Sequence, residues 1–158
     1  MVSLNSIRRK FHTARSFPGH DRRLFIQAWF ILLLVDLGLR LLSFRRVQGW
    51  LARGQSWLEI GDYNLVRDEI RRTRKLVDLA ARYSPYRMTC LRRSLTMQRL
   101  LAQQGIRSEL RFGARREKDA LQAHAWLEYQ GIPIGEPETL DERFTPLVGF
   151  SSKHLSNS

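Results

Sequence analysis

The sequence predicts an α+β domain, with helices first and a small antiparallel sheet packed on the last of them. Two observations carry the prediction. Apolar positions recur at helical spacing as far as Gln104, and beyond Gly105 the period changes to two. A hydrophobic fraction of 43% over 158 residues is ordinary for one domain with a sizeable core.

Residues 1–20 are basic and turn-rich, close on Pro18-Gly19-His20, and read as a flexible arm. From Asp21, placed as an N-cap, to Ser43 the pattern is helical and apolar nearly all round, as in a helix buried on most sides. The unbroken apolar run from Ala28 to Val35 is too short to span a bilayer. An Asp or Arg at a helix centre costs roughly 2.5–3.5 kcal/mol on insertion scales, although Asp36 can pair with Arg40 one turn on. Arg45 and Arg46 stand where a signal peptide would need small residues. The expectation is a cytoplasmic protein that uses this helix as core with some exposed surface, and no membrane partner.

A short helix follows with Val47, Trp50 and Leu51, and then a loop bracketed by Gly54 and Gly61. Residues 21–62 thus form an N-terminal helical region, and 63–158 the core of the domain. Asn64 caps a charged helix in which Ile70, Val77 and Ala81 lie near one face while Arg67, Arg71, Arg74 and Lys75 reach solvent, ending near Tyr83. Thr89 to Gln104 is the next helix, closed by Gly105 as C′ residue. Its Leu91, Leu95, Met97, Leu100 and Leu101 cover an arc of roughly 220°, leaving a narrow polar stripe of Arg92, Thr96 and Arg99. Such a helix is central. Strands are predicted at Ile106 to Arg115, Leu121 to Tyr129 and Ile132 to Glu136.

The 27 Lys and Arg against 15 Asp and Glu give a net charge of +12, which suits phosphate, a carboxylate or an acidic peptide as partner. No nucleic-acid-binding motif accompanies the charge, so nucleic acid is not an expected partner. A single cysteine excludes an internal disulfide and a multi-cysteine zinc site, and neither metal nor cofactor is expected. Cys90 is then either a buried small hydrophobe or a reactive thiol.

Position favours the thiol. With Thr89 as N-cap, the sulfur sits beside unpaired amide N–H groups at the positive end of a helix dipole, where a thiolate is stabilised. If Ser84-Pro85 opened the helix instead, Cys90 would fall in its second turn and the reasoning would weaken. His124 is the natural base. It lies on a predicted strand with Trp126 and Glu128 on its own face, whereas His12, His20 and His154 fall near the ends of the chain. The orienting acid depends on the turn after Tyr129. A two-residue loop, Gln130-Gly131, puts Glu136 opposite Ala125 and away from His124; a three-residue loop, Tyr129-Gln130-Gly131, puts Glu136 opposite His124. The second register builds a triad of Cys90, His124 and Glu136, with Glu138 and Asp141 as nearby substitutes.

These residues carry a resemblance. Cys90-Leu91-Arg92-Arg93-Ser94-Leu95, Leu100-Leu101, Gly105-Ile106, Gly113 and Ala123-His124-Ala125-Trp126-Leu127-Glu128 resemble the transglutaminase-like cysteine peptidases that remove leader peptides in bacterial lasso-peptide biosynthesis. The likeness runs from about Leu24 to Phe150. It implies a transglutaminase/papain-like core, with Cys90 as nucleophile and His124 as base. The family's third residue is usually aspartate, and the matched position holds Glu136. The chain looks like the standalone form without a fused leader-recognition domain, which implies a separate recognition protein, a precursor peptide as substrate and an ATP-dependent cyclase as further partner. Two rivals stand beside this reading: acyl transfer to an amine by the same thiol, and a non-enzymatic basic helical module that binds nucleic acid or a membrane-associated complex.

Overall fold

The computed structural model describes residues 19–52, 63–117, 120–134 and 145–146. Helix α1 spans Gly19–Leu41, α2 Phe44–Ala52, α3 Tyr63–Arg82 and α4 Cys90–Gln103, followed by strands β1 Glu109–Glu117, β2 Ala120–Tyr129, β3 Ile132–Ile134 and β4 Thr145–Pro146. The strands form one antiparallel sheet in the order β3-β2-β1-β4, so β2 is an inner strand. The predicted α+β arrangement is the observed one. The predicted arm up to residue 18 and the loop between Gly54 and Gly61 lie outside the described residues.

Helix α1 begins two residues before the predicted cap and is less enclosed than its composition suggested. Leu24, Phe25, Ala28, Leu32 and Val35 are buried against α3 and α4, while Ile26, Phe30, Leu34, Leu37 and Leu41 are exposed along another stripe. By length and composition its Asp21–Leu41 stretch is apolar enough to cross a membrane. Both of its carboxylates are nevertheless paired inside the fold. Asp36 is buried and meets Arg40 at 3.0 Å and Arg92 of α4 at 2.8 Å, and Asp21 is paired with Arg72 of α3. The Arg40 guanidinium lies 5.0 Å above the Tyr86 ring.

Helix α4 is central, as its wide apolar arc predicted: Leu95, Leu100 and Leu101 have no exposed surface, and both α3 and β2 pack on it. Its polar stripe does not face solvent. Thr96 is fully buried, Arg92 reaches Asp36, and Arg99 donates to the Leu51 carbonyl at the end of α2, 2.9 Å away. The reason is that α1 and α2 cover this side, and the long side chains find partners there. After Gln104 the chain turns through Gly105 at φ 79°, a left-handed C′ position that glycine adopts without cost.

The β2–β3 turn corrects the expected loop. Tyr129 pairs with Ile132, Glu128 with Pro133 and Leu127 with Ile134, which is the register of the two-residue loop. Gln130 and Gly131 both have positive φ, 51° and 79°, the requirement of a type I′ turn. The turn's twist matches that of the flanking strands, and this tighter connection replaces the three-residue bulged loop on which the alignment of Glu136 with His124 depended.

Candidate active site

Cys90 is the first residue of α4. The chain before it, Ser84 to Thr89, is bent and extended, so the helix does not open at Ser84-Pro85. Thr89 occupies the N-cap with φ −72° and ψ 164°, but its hydroxyl makes no capping bond. The first amide groups of the helix are therefore left to other acceptors. One of them, Leu91 N–H, helps to hold the Cys90 thiol below its ordinary pKa.

His124 is on the inner strand β2, where it pairs across the sheet with Gly113. Its imidazole and the Cys90 thiol line the same cleft, and hydrogen bonding to the imidazole is the main reason the thiol is held below its ordinary pKa. Half-burial opposes the shift. The backbone N–H groups of Ala125 and Leu91 and the charge of the imidazole reinforce it. The helix and the strand are joined beside this pair, because Ser94 Oγ, one turn beyond Cys90, donates to the Ala125 carbonyl at 3.0 Å.

The imidazole is braced from its own strand. The Trp126 ring lies nearly parallel to that of His124, at 6.2 Å between centroids and 16° between planes. Trp126 is 1% exposed, and its indole N–H donates to Glu128 Oε1 at 3.2 Å. Arg111 of β1 donates to the other Glu128 oxygen at 2.8 Å. The shared face of His124, Trp126 and Glu128 was legible from the period of two; Arg111 and Ser94 were not singled out. The signal for Ser94 was its four-residue spacing from Cys90, which places both on one helix face.

Cys90 and His124 open into a cleft of about 400 Å³. Val77, Met88, Met97 and Leu127 form an apolar part of its lining, and Arg74, Asp78 and Arg93 a charged part. Asp78 meets Arg74 at 3.5 Å and Arg93 at 3.6 Å. No group of three His, Cys, Asp or Glu side chains that could hold a metal ion occurs among the described residues. Of the expected triad, the structure brings Cys90 and His124 together. Glu136, Glu138 and Asp141 lie outside the described residues, and the observed two-residue turn removes the register by which Glu136 was set opposite His124.

A thiol at a helix N-terminus, paired with an imidazole on the adjoining strand, is the arrangement of a cysteine nucleophile with its base. The family model of the transglutaminase-like superfamily matches residues 31–149, and the chain belongs to that superfamily. Membership points to cysteine peptidase or acyltransferase chemistry. No curated protein and no solved structure shows a significant match to the chain.

Proposed function

We propose that the protein is a cysteine endopeptidase that removes the leader from a lasso-peptide precursor. The observation that carries the peptidase reading is the Cys90–His124 pair in the lining of one cleft, with the thiol held below its ordinary pKa by the imidazole. The lasso-peptide assignment rests on the sequence likeness around Cys90 and Ala123-His124-Ala125-Trp126.

His124 takes the Cys90 proton and the thiolate attacks the carbonyl carbon of the scissile peptide bond. The oxyanion is met by the Cys90 backbone N–H, which has no intrahelical acceptor. As the C–N bond breaks, the imidazolium gives its proton to the departing amine and leaves a thioester on Cys90. A water molecule then loses a proton to His124 and attacks the thioester; the leader leaves as a carboxylic acid and the proton returns to the thiol. Trp126, braced by Glu128 and Arg111, limits the imidazole's motion. Glu136 is kept as the orienting acid on family position alone, with Glu138 and Asp141 as alternatives. The reading includes a cytoplasmic location, a separate leader-recognition protein, and an ATP-dependent cyclase that accounts for any nucleotide requirement.

The test is incubation with a precursor peptide, with and without the recognition protein, followed by mass measurement. Cleavage at the leader–core junction with uptake of one water is expected, and Cys90→Ala should abolish it while leaving the fold intact. Cleavage by Cys90→Ala at the wild-type rate would sink the proposal. A product in which an added amine replaces water would assign the thiol to acyl transfer, the other chemistry to which the superfamily points.

A further inference from the structure

The side of the cleft formed by α3 continues into a stripe of cations. At about 100° per residue, Arg67, Arg71, Arg74, Lys75, Asp78 and Arg82 fall within an arc of about 100°, while Val66, Ile70, Thr73, Val77 and Ala80 are buried on the other side of the helix. Arg67, Arg71, Lys75 and Arg82 are exposed. Arg67, Lys75 and Arg82 make no ion pair among the described residues. Arg71 meets Asp68 at 3.8 Å with both side chains more than half exposed, a pair that offsets little. Arg74 shares Asp78 with Arg93, two guanidinium groups to one carboxylate. The stripe is thus cationic along its length.

What distinguishes it from an ordinary solvated face is its continuity with the cleft. Arg74 and Asp78 belong both to the stripe and to the cleft that holds Cys90. With a rise of about 1.5 Å per residue, Arg71 and Arg67 lie about 4.5 and about 10.5 Å along α3 from Arg74. A peptide extended at about 3.3 Å per residue that leaves the cleft past Arg74 places the next side chains, about one to three positions on, over those cations. Guanidinium groups match carboxylates with two parallel hydrogen bonds. The apolar lining at Val77, Met88, Met97 and Leu127 suits a peptide side chain rather than a phosphate, and the stripe carries no aromatic side chain on which a base would stack.

We infer that the α3 stripe binds acidic residues of the peptide that enters the Cys90 cleft, on one side of the scissile bond. This deepens the peptidase reading and rests on it for the identity of the bound chain.

The probe is a rhodamine-labelled peptide of about ten residues bearing a run of glutamates, compared with its glutamine analogue. Binding to full-length Cys90→Ala protein is read by fluorescence anisotropy, so a lack of turnover does not affect the result. At about 50 mM salt the glutamate peptide binds about tenfold tighter than the analogue, and the advantage shrinks to about twofold at roughly 0.5 M. It shrinks likewise in Cys90→Ala protein that also carries Arg67→Glu and Arg71→Glu, both at exposed positions. On wild-type protein, saturating glutamate peptide slows iodoacetamide alkylation of Cys90 by about fivefold or more, because the peptide crosses the cleft. Equal affinities for the two peptides overturn the inference, as does an advantage that survives the charge reversals or binding that leaves alkylation unchanged. A single-stranded oligonucleotide of equal charge that binds tighter through Arg67 and Arg71 would assign the stripe to nucleic acid instead.

Discussion

Cys90 and His124 each supply what the other lacks: the imidazole favours the thiolate, and the half-buried sulfur keeps the ring beside it. The sign of the effect is definite. A thiol held below its ordinary pKa is deprotonated at lower pH, so alkylation by iodoacetamide rises through that lowered value. His124→Ala removes the largest cause of the shift. The midpoint of the rate–pH curve then moves to higher pH, and at pH below both midpoints the rate falls by about tenfold for each pH unit between them. Superimposable curves for variant and wild type would show that His124 does not govern the thiol. Ser94 acts one step further out, through its bond to the Ala125 carbonyl next to His124. Ser94→Ala should cost about 1 kcal/mol of stability and lower kcat/KM about tenfold, while raising the alkylation midpoint; Ser94→Thr should restore most of each. A stability loss with no change in the midpoint would reduce Ser94 to a structural contact. The nucleophile and base were legible because the sequence holds one cysteine and only one of its four histidines lies away from the ends of the chain. Ser94 was not, since its role depends on a carbonyl 31 residues away.

At the scale of single elements, the helices were legible because each buries one side and its period records that side. Their ends agree with expectation to within two residues for α1, α3 and α4. The β2–β3 hairpin was legible as two strands, but the length of its loop was not. Gln130-Gly131 lacks the Asn, Asp or Gly at the first position that usually marks a type I′ turn, so composition did not separate the two loop lengths, and the three-residue loop was expected because its register builds the triad. The ladder selects the shorter loop despite the cost of Gln130 at φ 51°. Two opposite effects follow. An added Cβ at Gly131 would meet nothing within 4 Å, so Gly131→Ala should cost only its backbone strain, about 1–2 kcal/mol. Gln130→Gly should relieve strain and partly repay the lost chain rigidity, with a net change of about 0.5 kcal/mol or less. Chemical denaturation of the two variants checks both, and equal losses at the two positions would contradict the turn assignment.

For the whole molecule, the question is what joins the N-terminal helices to the half that carries Cys90. The apolar faces of α1, α3 and α4 supply most of the contact, and beside the Asp21–Arg72 pair and the bond from Arg99 to the Leu51 carbonyl, the link from α1 to the helix of the nucleophile is Asp36. It lies on a helix apolar enough to suggest a membrane span, it is 4% exposed, and it holds Arg40 on its own helix and Arg92 two residues beyond the thiol. Its pairing with Arg40 was readable from the four-residue spacing. The pairing with Arg92 was not, because it spans 56 residues and the narrow polar stripe of Arg92, Thr96 and Arg99 identifies no partner by its own spacing. A buried ion pair contributes little net stability over an apolar replacement, whereas removing one partner strands the other charge. Asp36→Leu should therefore cost about 3 kcal/mol, since Arg92, with its side chain 20% exposed, loses its carboxylate. Adding Arg92→Met should recover most of that loss and bring the double variant within about 1 kcal/mol of wild type, while Arg40 keeps its place over Tyr86 and its access to solvent. Urea unfolding of the two single variants and the double gives the coupling directly. Additive losses would mean that Asp36 and Arg92 are independent, and that apolar packing alone joins α1 to the helix of the nucleophile.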